Sequence, residues 1–402
     1  MLTVAQALEI VLSNAKPLMP ISARLLASSL GLRLAEDVAS DVDSPPFDKA
    51  MMDGFALRAG DLQGGHAELA IIEEIPAGTV PTKVVELGQA SRIMTGAPLP
   101  RGADAVVMIE RCEILPNQRV RINEPRAKAG LNILERAKEM RVGEVVVHAG
   151  ATLRPQEFGV LASVGRDVVR VQPRPRVAIL STGDEIVEPS QKPGPGQIRN
   201  SNGMMLLGQV ARAGGEPMFL GIARDNADDL RAKILQGLDA DMLILSGGVS
   251  AGKLDLVPGV LAELGVEALF HKVAMKPGKP ILFGIRPPRL VFGLPGNPVS
   301  SLVCFELFVR PALHVMMGRP PGPSWVNARL VKDHPYRTDR PTYFPSRLTL
   351  TDAGWTVEPI AWFGSPDLRG VLSANAFALL PEGDHVHRAG QALAVLRVED
   401  MH

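Results

Sequence analysis

The strongest constraint on this chain is a run between residues 176 and 317 in which short apolar segments alternate with amphipathic ones. We predict strands at 177–182, 217–223, 241–246, 267–273, 280–285 and 290–294, and helices at 203–214, 227–238, 256–265 and 300–317. Strands that are apolar along their whole length are buried on both faces, because helices cover both sides of a mostly parallel sheet. The sequence therefore predicts a three-layer α/β domain over residues 173–317.

The flanking segments predict further domains, so the fold class is multidomain α/β and β. Residues 41–140 contain short strand-like runs separated by turns, which favours a small mixed or β domain inserted into the chain. Residues 318–402 carry five short strand-like runs, which favour a small C-terminal β-barrel, with a sandwich as the alternative. Residues 1–40 and 141–172 are assigned to an N-terminal scaffold domain, with a helix expected at 22–32.

Charge and cysteine content exclude several classes of protein. Lys plus Arg and Asp plus Glu each number 43, so no basic field attracts nucleic acid or an anionic membrane. The apolar runs are far shorter than the ~18 residues of a membrane span, and the N-terminus lacks the cationic start of a signal peptide. Cys112 and Cys304 form neither a disulfide framework nor a four-cysteine metal site. We predict a soluble, cytoplasmic protein without nucleic-acid or membrane partners.

Four loops that follow predicted strands carry polar residues, and ligands of such sheets bind outside the carboxyl ends of the strands. The glycines and serines of the third loop precede a helix and could cradle a phosphate, while the fourth loop opens a helix whose N-terminus favours an anion. The loops are STGDEI at 181–186, ARD at 223–225, SGGVSAGKLD at 246–255 and GLPGNPVSS at 293–301.

Lysines and carboxylates are expected at the same edge. Lys272, Lys276 and Lys279 lie in HKVAMKPGKP and suit a phosphate or oxyanion. The carboxylates of Asp184, Glu185 and Asp225 could help to hold Mg²⁺, which binds one or two carboxylates plus substrate phosphates. Together they predict a site for a phosphorylated or nucleotidyl ligand. The ordinary interpretation of each feature alone is a tight turn, a helix cap or a solvated face.

Two other clusters are candidates. The segment PPFDKAMMDGFALRAGD at 45–61 is dense in acidic residues, including Asp53, and Thr95 ends a strand before a Pro/Gly loop. Exposed caps and an ordinary hairpin connection remain the alternatives. His385 and His387 form half of a possible metal site, but no third ligand is evident in the sequence, and we interpret the pair as a solvated edge.

Seven blocks together resemble the molybdopterin molybdenumtransferases, the family of the MoeA proteins and the E domain of gephyrin. The resemblance covers nearly the whole chain and keeps the order of the blocks. They are SPPFDKAMMDGFALR, RIMTGAPLPRGADAVVMIE, RVAILSTGDEIVEP, GQIRNSN, LILSGGVSAGKLD, VAMKPGKPILFG and VFGLPGNPVSSLVCFELFVRPAL.

The resemblance implies four domains and an elongated homodimer whose cleft is shared between the α/β domain of one subunit and the inserted domain of the other. It implies the reaction of adenylyl-molybdopterin with molybdate to give molybdenum cofactor and AMP, assisted by Mg²⁺. It also leaves room for molybdoenzyme or cofactor-carrier partners.

The resemblance also assigns roles to residues. Catalytic roles are expected for Asp53, Thr95, Glu185, Asp225, Asp255, Lys272 and Lys276, with Glu185, Asp225 and Asp255 as the metal ligands. Substrate-binding roles are expected for Ser246, Gly247, Gly248, Ser250, Lys279, Pro295, Gly296, Asn297 and Pro298.

Three blocks depart from the family pattern. The usual GDYD is GKLD, which places Lys253 and Leu254 where the family has Asp and an aromatic residue. The usual NSAMDGY is KAMMDGF. The usual Asn-x-Arg-x-x-Gly-Glu-Asp is NILERAKEM, with Leu134 for the arginine, Ala137 for the glycine and Lys138-Glu139 for the acidic pair. These changes exchange negative for positive charge where a cation is expected.

Three functional hypotheses follow. The first is an active molybdenumtransferase, favoured by the intact STGDE, ARD and MKPGKP blocks. The second, favoured by the altered blocks, is a non-catalytic molybdopterin-binding or cofactor-binding paralogue for storage, delivery or sensing. The third is a related α/β enzyme acting on a different nucleotide-linked ligand. Fold alone does not separate them.

Overall fold

The structure is a computed structural model that describes residues 1–248, 256–322 and 324–398. The chain divides into two compact units, one formed by Met1–Ser22 with Arg170–His402 and the other by Ala23–Val169. This division does not separate the four predicted domains, whose limits stay predictions.

The first unit is built on a six-stranded sheet. Four neighbouring strands are parallel, and two antiparallel strands complete one side. In sheet order the strands are Glu216–Ala223, Arg176–Thr182, Met242–Ser246, Arg289–Leu294, Leu282–Arg286 and Glu267–Phe270. Their carboxyl ends, except that of Leu282–Arg286, lie along one edge.

Helices cover both faces because side chains alternate along each strand. Val177 and Ile179 face one core, which contains residues of the helices Val4–Asn14, Ser201–Arg212 and Pro298–Met316. Ala178 and Leu180 face the other core, which contains residues of the helices Ala227–Gly237 and Val257–Glu263. The predicted three-layer α/β fold is confirmed.

The helix Pro298–Met316 is long and apolar enough to cross a membrane, but 78% of its apolar window is buried inside the unit, as in the core helix of a globular protein. It includes a π-helical stretch at Phe305–Val309. The fully buried Glu306 in that stretch forms ion pairs with Arg310, at 2.8 Å, and with Arg212, and it accepts a hydrogen bond from Gln209 Nε2. Such pairing is what a buried carboxylate requires.

The predicted C-terminal barrel is also confirmed. Five strands close on one another, with Trp325–Leu330 followed around the barrel by Gly354–Pro359, Thr342–Thr351, Ala376–Leu380 and Ala392–Arg397. A separate antiparallel pair, His334–Thr338 with Gly383–His387, was not predicted.

This strand pair shows that the solvated-edge interpretation of the HxH pair is wrong for one of its histidines. His385 is exposed, but His387 is only 3% exposed and lies opposite His334 in the strand register. The sequence could not reveal this, because residues 334 and 387 meet only through the strand pairing.

The second unit contains a six-stranded sheet. In sheet order its strands are Ala105–Met108, Gly54–Leu57, Gln89–Ile93, His66–Ile75, Arg119–Asn123 and Cys112–Leu115. Two short pairs, Lys49–Ala50 with Ile133–Leu134 and Val38–Ala39 with Val145–Val147, and the helix Pro155–Ser163 accompany it. Short strands are also found at Ile21–Arg24, Arg33–Leu34 and Val168–Gln172.

The helix predicted at 22–32 is wrong. That segment contains the strand Ile21–Arg24 and a single 3₁₀ turn, Ala27–Ser29. The Leu25 and Gly31 amides donate to the distant carbonyls of Asp167 and Leu153, so these amides are not available for helical hydrogen bonds.

We expect the protein to lose stability in mild acid because of His334 and His387. Burial lowers the pKa of both His334 and His387 in the folded protein. At pH values between the folded and unfolded pKa values, the unfolded chain therefore binds more protons than the folded chain. The free energy of unfolding should therefore fall as pH drops below about 6.5, by at most about 1.4 kcal/mol per pH unit per proton.

Denaturant unfolding from about pH 7.5 to about pH 5.5 measures this slope. His387→Gln should flatten it, whereas His148→Gln, at an exposed site, should not. Equal slopes for wild type and His387→Gln would contradict the prediction.

Candidate functional site

Two glycine-rich loops meet at the carboxyl edge of the sheet. Gly247, at φ +94°, donates its amide to the Leu294 carbonyl, and a Cβ placed on Gly247 would lie 2.6 Å from the Thr182 carbonyl oxygen. A Cβ on Gly296 would lie 3.9 Å from Gly247 Cα. Glycine at residue 247 therefore allows both the left-handed backbone and the close approach of neighbouring chain segments.

Asn202 joins these loops and was not among the predicted site residues. Its Nδ2 donates to Ser246 Oγ at 2.9 Å and to the Gly296 carbonyl at 2.8 Å. It lies in the first turn of the helix Ser201–Arg212, whose N-cap is Asn200. The GQIRNSN block contains both asparagines, so the signal was present in the sequence without an assigned role.

Among the described residues, the buried polar atoms without a hydrogen-bond partner include three beside the loops. They are Thr182 Oγ1, Asn200 Nδ2 and Asn202 Oδ1, from residues that are 2%, 2% and 9% exposed. Buried polar atoms are normally paired, so these supply one acceptor, one donor and one hydroxyl for a polar ligand.

A cleft of about 820 Å³ opens at this edge and gathers residues from three predicted blocks. Those predicted from the sequence are Glu185, Lys276, Lys279, Pro295, Gly296 and Asn297. Another wall comes from the C-terminal part of the unit and was missed. It comprises Tyr336, Arg340, Phe344, Trp362, Gly364 and Ser365, and the predicted Asn297 donates its Nδ2 to Ser365 Oγ at 3.0 Å. The cleft thus combines cations with aromatic surface.

A compositional signal for the missed wall existed. Aromatic residues form only 4% of the chain, yet all three Trp and both Tyr lie between residues 325 and 362. Large aromatic side chains concentrated in one small domain favour a binding surface or a core, and here they contribute to both.

The lysine loop is held by packing below it. Gly278, at φ +111°, lies directly over Cys304, since a Cβ there would be 2.6 Å from Cys304 Sγ. Burial raises the pKa of the Cys304 thiol, as expected for a cysteine in the core. A side chain at residue 278 would displace the segment that carries Lys276 and Lys279.

Other predicted residues lie outside the cleft lining. Lys272 is exposed, and Ser246 is buried beneath the loops. Gly248 lies against Thr182, and Pro298 begins the core helix. Ser250 and Asp255, like Lys253, lie outside the described residues.

The carboxylates do not form a closed metal site in the described part of the chain. Asp184 and Asp225 exchange hydrogen bonds, with the Asp225 amide 3.1 Å from Asp184 Oδ1 and the Asp184 amide 3.4 Å from Asp225 Oδ2. No group of three Asp, Glu, His or Cys side chains able to hold a metal is found among the described residues. The donors present fit Mg²⁺ only in its usual mode, with one or two carboxylates supplemented by water and phosphate.

In the second unit, two predicted residues are brought together. Gly54 pairs with Ile93 across adjacent strands, which places Asp53 beside Thr95. The Thr95 amide and hydroxyl both donate to Asp53 Oδ1 at 2.6 Å, and these bonds hold the pKa of Asp53 below its usual value. The exposed carboxylate is therefore ionised and fixed in direction.

In the second unit, the block that begins SPPFD and the block NILERAKEM, which both depart from the family pattern, are joined by hydrogen bonds. Leu134 pairs with Lys49, and Ser44 Oγ donates to Glu139 at 2.7 Å. The Ala137 amide donates to the Pro45 carbonyl with Ala137 at φ +58°, a conformation that favours glycine.

Comparison with known proteins decides the family. Residues 2–165 match the family described as MoeA N-terminal region (domain I and II), 178–315 match Probable molybdopterin binding domain, and 327–398 match MoeA C-terminal region (domain IV). A molybdopterin molybdenumtransferase of Staphylococcus aureus is 36% identical over 395 residues, covering 96% of this chain and 93% of that protein. The chain belongs to the molybdopterin molybdenumtransferase family.

Further relatives of this family agree in sequence and fold. The molybdopterin molybdenumtransferase of Staphylococcus epidermidis is 35% identical over 380 residues, 93% of this chain and 90% of that one. The crystal structure of a molybdopterin biosynthesis MoeA protein from Pyrococcus horikoshii superposes with a TM-score of 0.86 at 33% identity, covering all of both chains.

Removing the Thr95 hydroxyl should release Asp53. Thr95→Val eliminates one of two hydrogen bonds that favour the carboxylate, so the pKa of Asp53 should rise toward its ordinary value. Thr95→Ser keeps the hydroxyl and should leave the pKa unchanged. NMR titration of the Asp53 carboxyl carbon measures both, and an unchanged value in Thr95→Val would refute the assigned cause.

Restoring the family glycine at residue 137 should stabilise the protein. A left-handed alanine costs about 1–2 kcal/mol, partly offset by the greater unfolded-state entropy of glycine. We expect Ala137→Gly to raise the free energy of unfolding by about 0.5–1 kcal/mol. Ala149→Gly, at an exposed residue without positive φ, is the control and should not stabilise. Denaturant unfolding of both variants measures these changes in the free energy of unfolding.

Proposed function

We propose that this chain acts in molybdenum cofactor biosynthesis by inserting molybdate into adenylyl-molybdopterin with release of AMP. The observation that carries the proposal is the cleft, where Glu185, two lysines and the Pro295–Asn297 turn converge from three separate blocks. Family membership supplies the substrate class, and the chemistry of the cleft supports it.

The lysines supply charge where the reaction needs it. Cleavage of the phosphoanhydride develops negative charge on phosphate oxygens and liberates an anionic product. Lys276 and Lys279 line the cleft and can neutralise phosphate or molybdate oxygens there. Lys272 is proposed to act at the exposed margin of the same loop.

The loops at the strand ends can recognise a ligand through uncharged polar groups. The Thr182 hydroxyl and the asparagine atoms beside Gly247, which have no partner in the described part of the chain, can bond a polar heterocycle or phosphate. The Gly247–Gly248 turn allows close backbone approach, and we propose that Ser246 and Ser250 belong to this cradle. Pro295–Pro298 would form the facing side.

Glu185, Asp225 and Asp255 are proposed to hold Mg²⁺ together with substrate phosphates. The ion would supply positive charge to the phosphate oxygens when bound. Asp53 and Thr95 are proposed to act from the inserted domain of a second subunit, in a cytoplasmic homodimer that shares each cleft between subunits. Delivery to molybdoenzymes or a cofactor carrier would follow release.

The test is AMP release from adenylyl-molybdopterin by purified protein with molybdate and Mg²⁺. Wild type should release AMP in a molybdate-dependent manner. Lys276→Ala should slow release by about 10²- to 10³-fold, the usual effect of removing one preorganised stabilising donor. Lys16→Ala, an exposed lysine of the same unit beside the opposite edge of the sheet, should retain wild-type activity.

Other outcomes identify the alternatives. Tight binding of adenylyl-molybdopterin without AMP release would reject the enzyme and favour a cofactor-binding paralogue, consistent with the altered GKLD and NILERAKEM blocks. Failure to bind any pterin would indicate an enzyme for another nucleotide-linked ligand.

A further inference from the structure

The backbone of Lys276 is fixed by the C-terminal part of its unit. Its amide donates to the Pro341 carbonyl at 2.9 Å, and its carbonyl accepts from the Tyr343 amide at 2.7 Å. Lys276 thereby forms a parallel bridge with Thr342, at the start of a barrel strand. The Cα of Lys276 is held in place, but its four-carbon side chain keeps its rotational freedom.

The ammonium group is held by an aromatic ring. Lys276 Nζ lies 5.6 Å from the centroid of the Tyr336 ring, within the range of a cation–π interaction. No ion pair to Lys276 is found among the described residues. The kind of partner matters. A carboxylate would neutralise the positive charge that binds an anionic substrate, whereas an aromatic ring directs the ammonium group and leaves its charge intact.

The ring itself is immobilised. His334 stacks on Tyr336 at 5.8 Å between centroids with 17° between planes, and Phe344 meets Tyr336 edge-on at 5.2 Å. Phe344 is in turn packed against Trp362 at 5.5 Å. The ring therefore has little freedom, as a positioning element requires.

We propose that Tyr336 is a positioning residue that holds the Lys276 ammonium in the cleft through the face of its ring. The inference rests on the proposed function, which gives Lys276 its anionic target. It assigns a role in the site to the strand His334–Thr338, which carries none of the family blocks.

The proposal separates the ring from the hydroxyl. Tyr336→Phe keeps the ring and should behave as wild type. Tyr336→Leu removes the ring and should lower kcat for AMP release by about 2- to 30-fold, the range of a cation–π contact from exposed to desolvated. Trp355→Leu is the matched control, because Trp355 lies under Arg397 in a strand of the barrel, outside the cleft.

A double-mutant cycle distinguishes positioning from general damage. In the Lys276→Ala background, Tyr336→Leu should have no further effect, since the group it positions is absent. An equal loss in both backgrounds would overturn the proposal, as would a loss in Tyr336→Phe as large as in Tyr336→Leu.

A structural readout keeps this test independent of the proposed function. In protein labelled with ¹³C-lysine, the Lys276 Hε resonance, assigned by its loss in Lys276→Arg, should carry an upfield ring-current shift. The shift should persist in Tyr336→Phe and vanish in Tyr336→Leu. A wild-type resonance without the ring-current shift refutes the positioning role. A wild-type resonance that carries the ring-current shift, in protein that releases no AMP, refutes only the proposed reaction.

Discussion

The parallel pairing of four neighbouring strands is the constraint on which the candidate site depends. Because Arg176–Thr182, Met242–Ser246 and Arg289–Leu294 run in the same direction, their following loops meet at one edge. Asn202 and Gly296, which are 94 positions apart, then form a hydrogen bond, and residues from 185 to 365 line one cleft. A helical layer on each face keeps the strands buried, which leaves the loops at the strand ends as the place for polar chemistry.

At that edge the chain segments approach one another closely, which requires a glycine and a side-chain amide that hydrogen-bonds to both loops. Gly247 tolerates both its positive φ and the adjacent Thr182 carbonyl, and Asn202 fixes two loops with one side-chain nitrogen. These contacts rigidify the cradle before any ligand arrives, so less conformational entropy is lost on binding. The buried Thr182, Asn200 and Asn202 atoms that lack partners within the described ranges are those that a ligand could satisfy.

The C-terminal barrel contributes to the cleft as well as to the fold. Pro341, just before the strand Thr342–Thr351, and Tyr343 within that strand hydrogen-bond the amide and the carbonyl of Lys276. Aromatic residues of the C-terminal part of the unit line the cleft. None of the seven family blocks lies in this domain. Shape and aromatic surface impose fewer residue identities than a phosphate loop does, which explains how such a wall can escape motif-based prediction.

Local pattern was sufficient where a residue's role depends on its neighbours in sequence. The apolar strands, the helices of the α/β domain, the short barrel strands and the candidate residues Asp53, Thr95, Glu185 and Lys276 could all be named from periodicity and motif. The same reasoning failed at residues 22–32, where amides donate to distant carbonyls, and at His387, which is buried by a strand pairing across more than fifty residues.

The sequence by itself therefore determined the layers of the fold, the family and the residue types of the site. Only the tertiary structure decided which of them meet. It brought Thr95 onto Asp53, Asn202 between two loops and the Tyr336 ring to the Lys276 ammonium. The physical reason is that periodicity records which face of an element is buried, whereas a contact between distant side chains is fixed by strand register and packing.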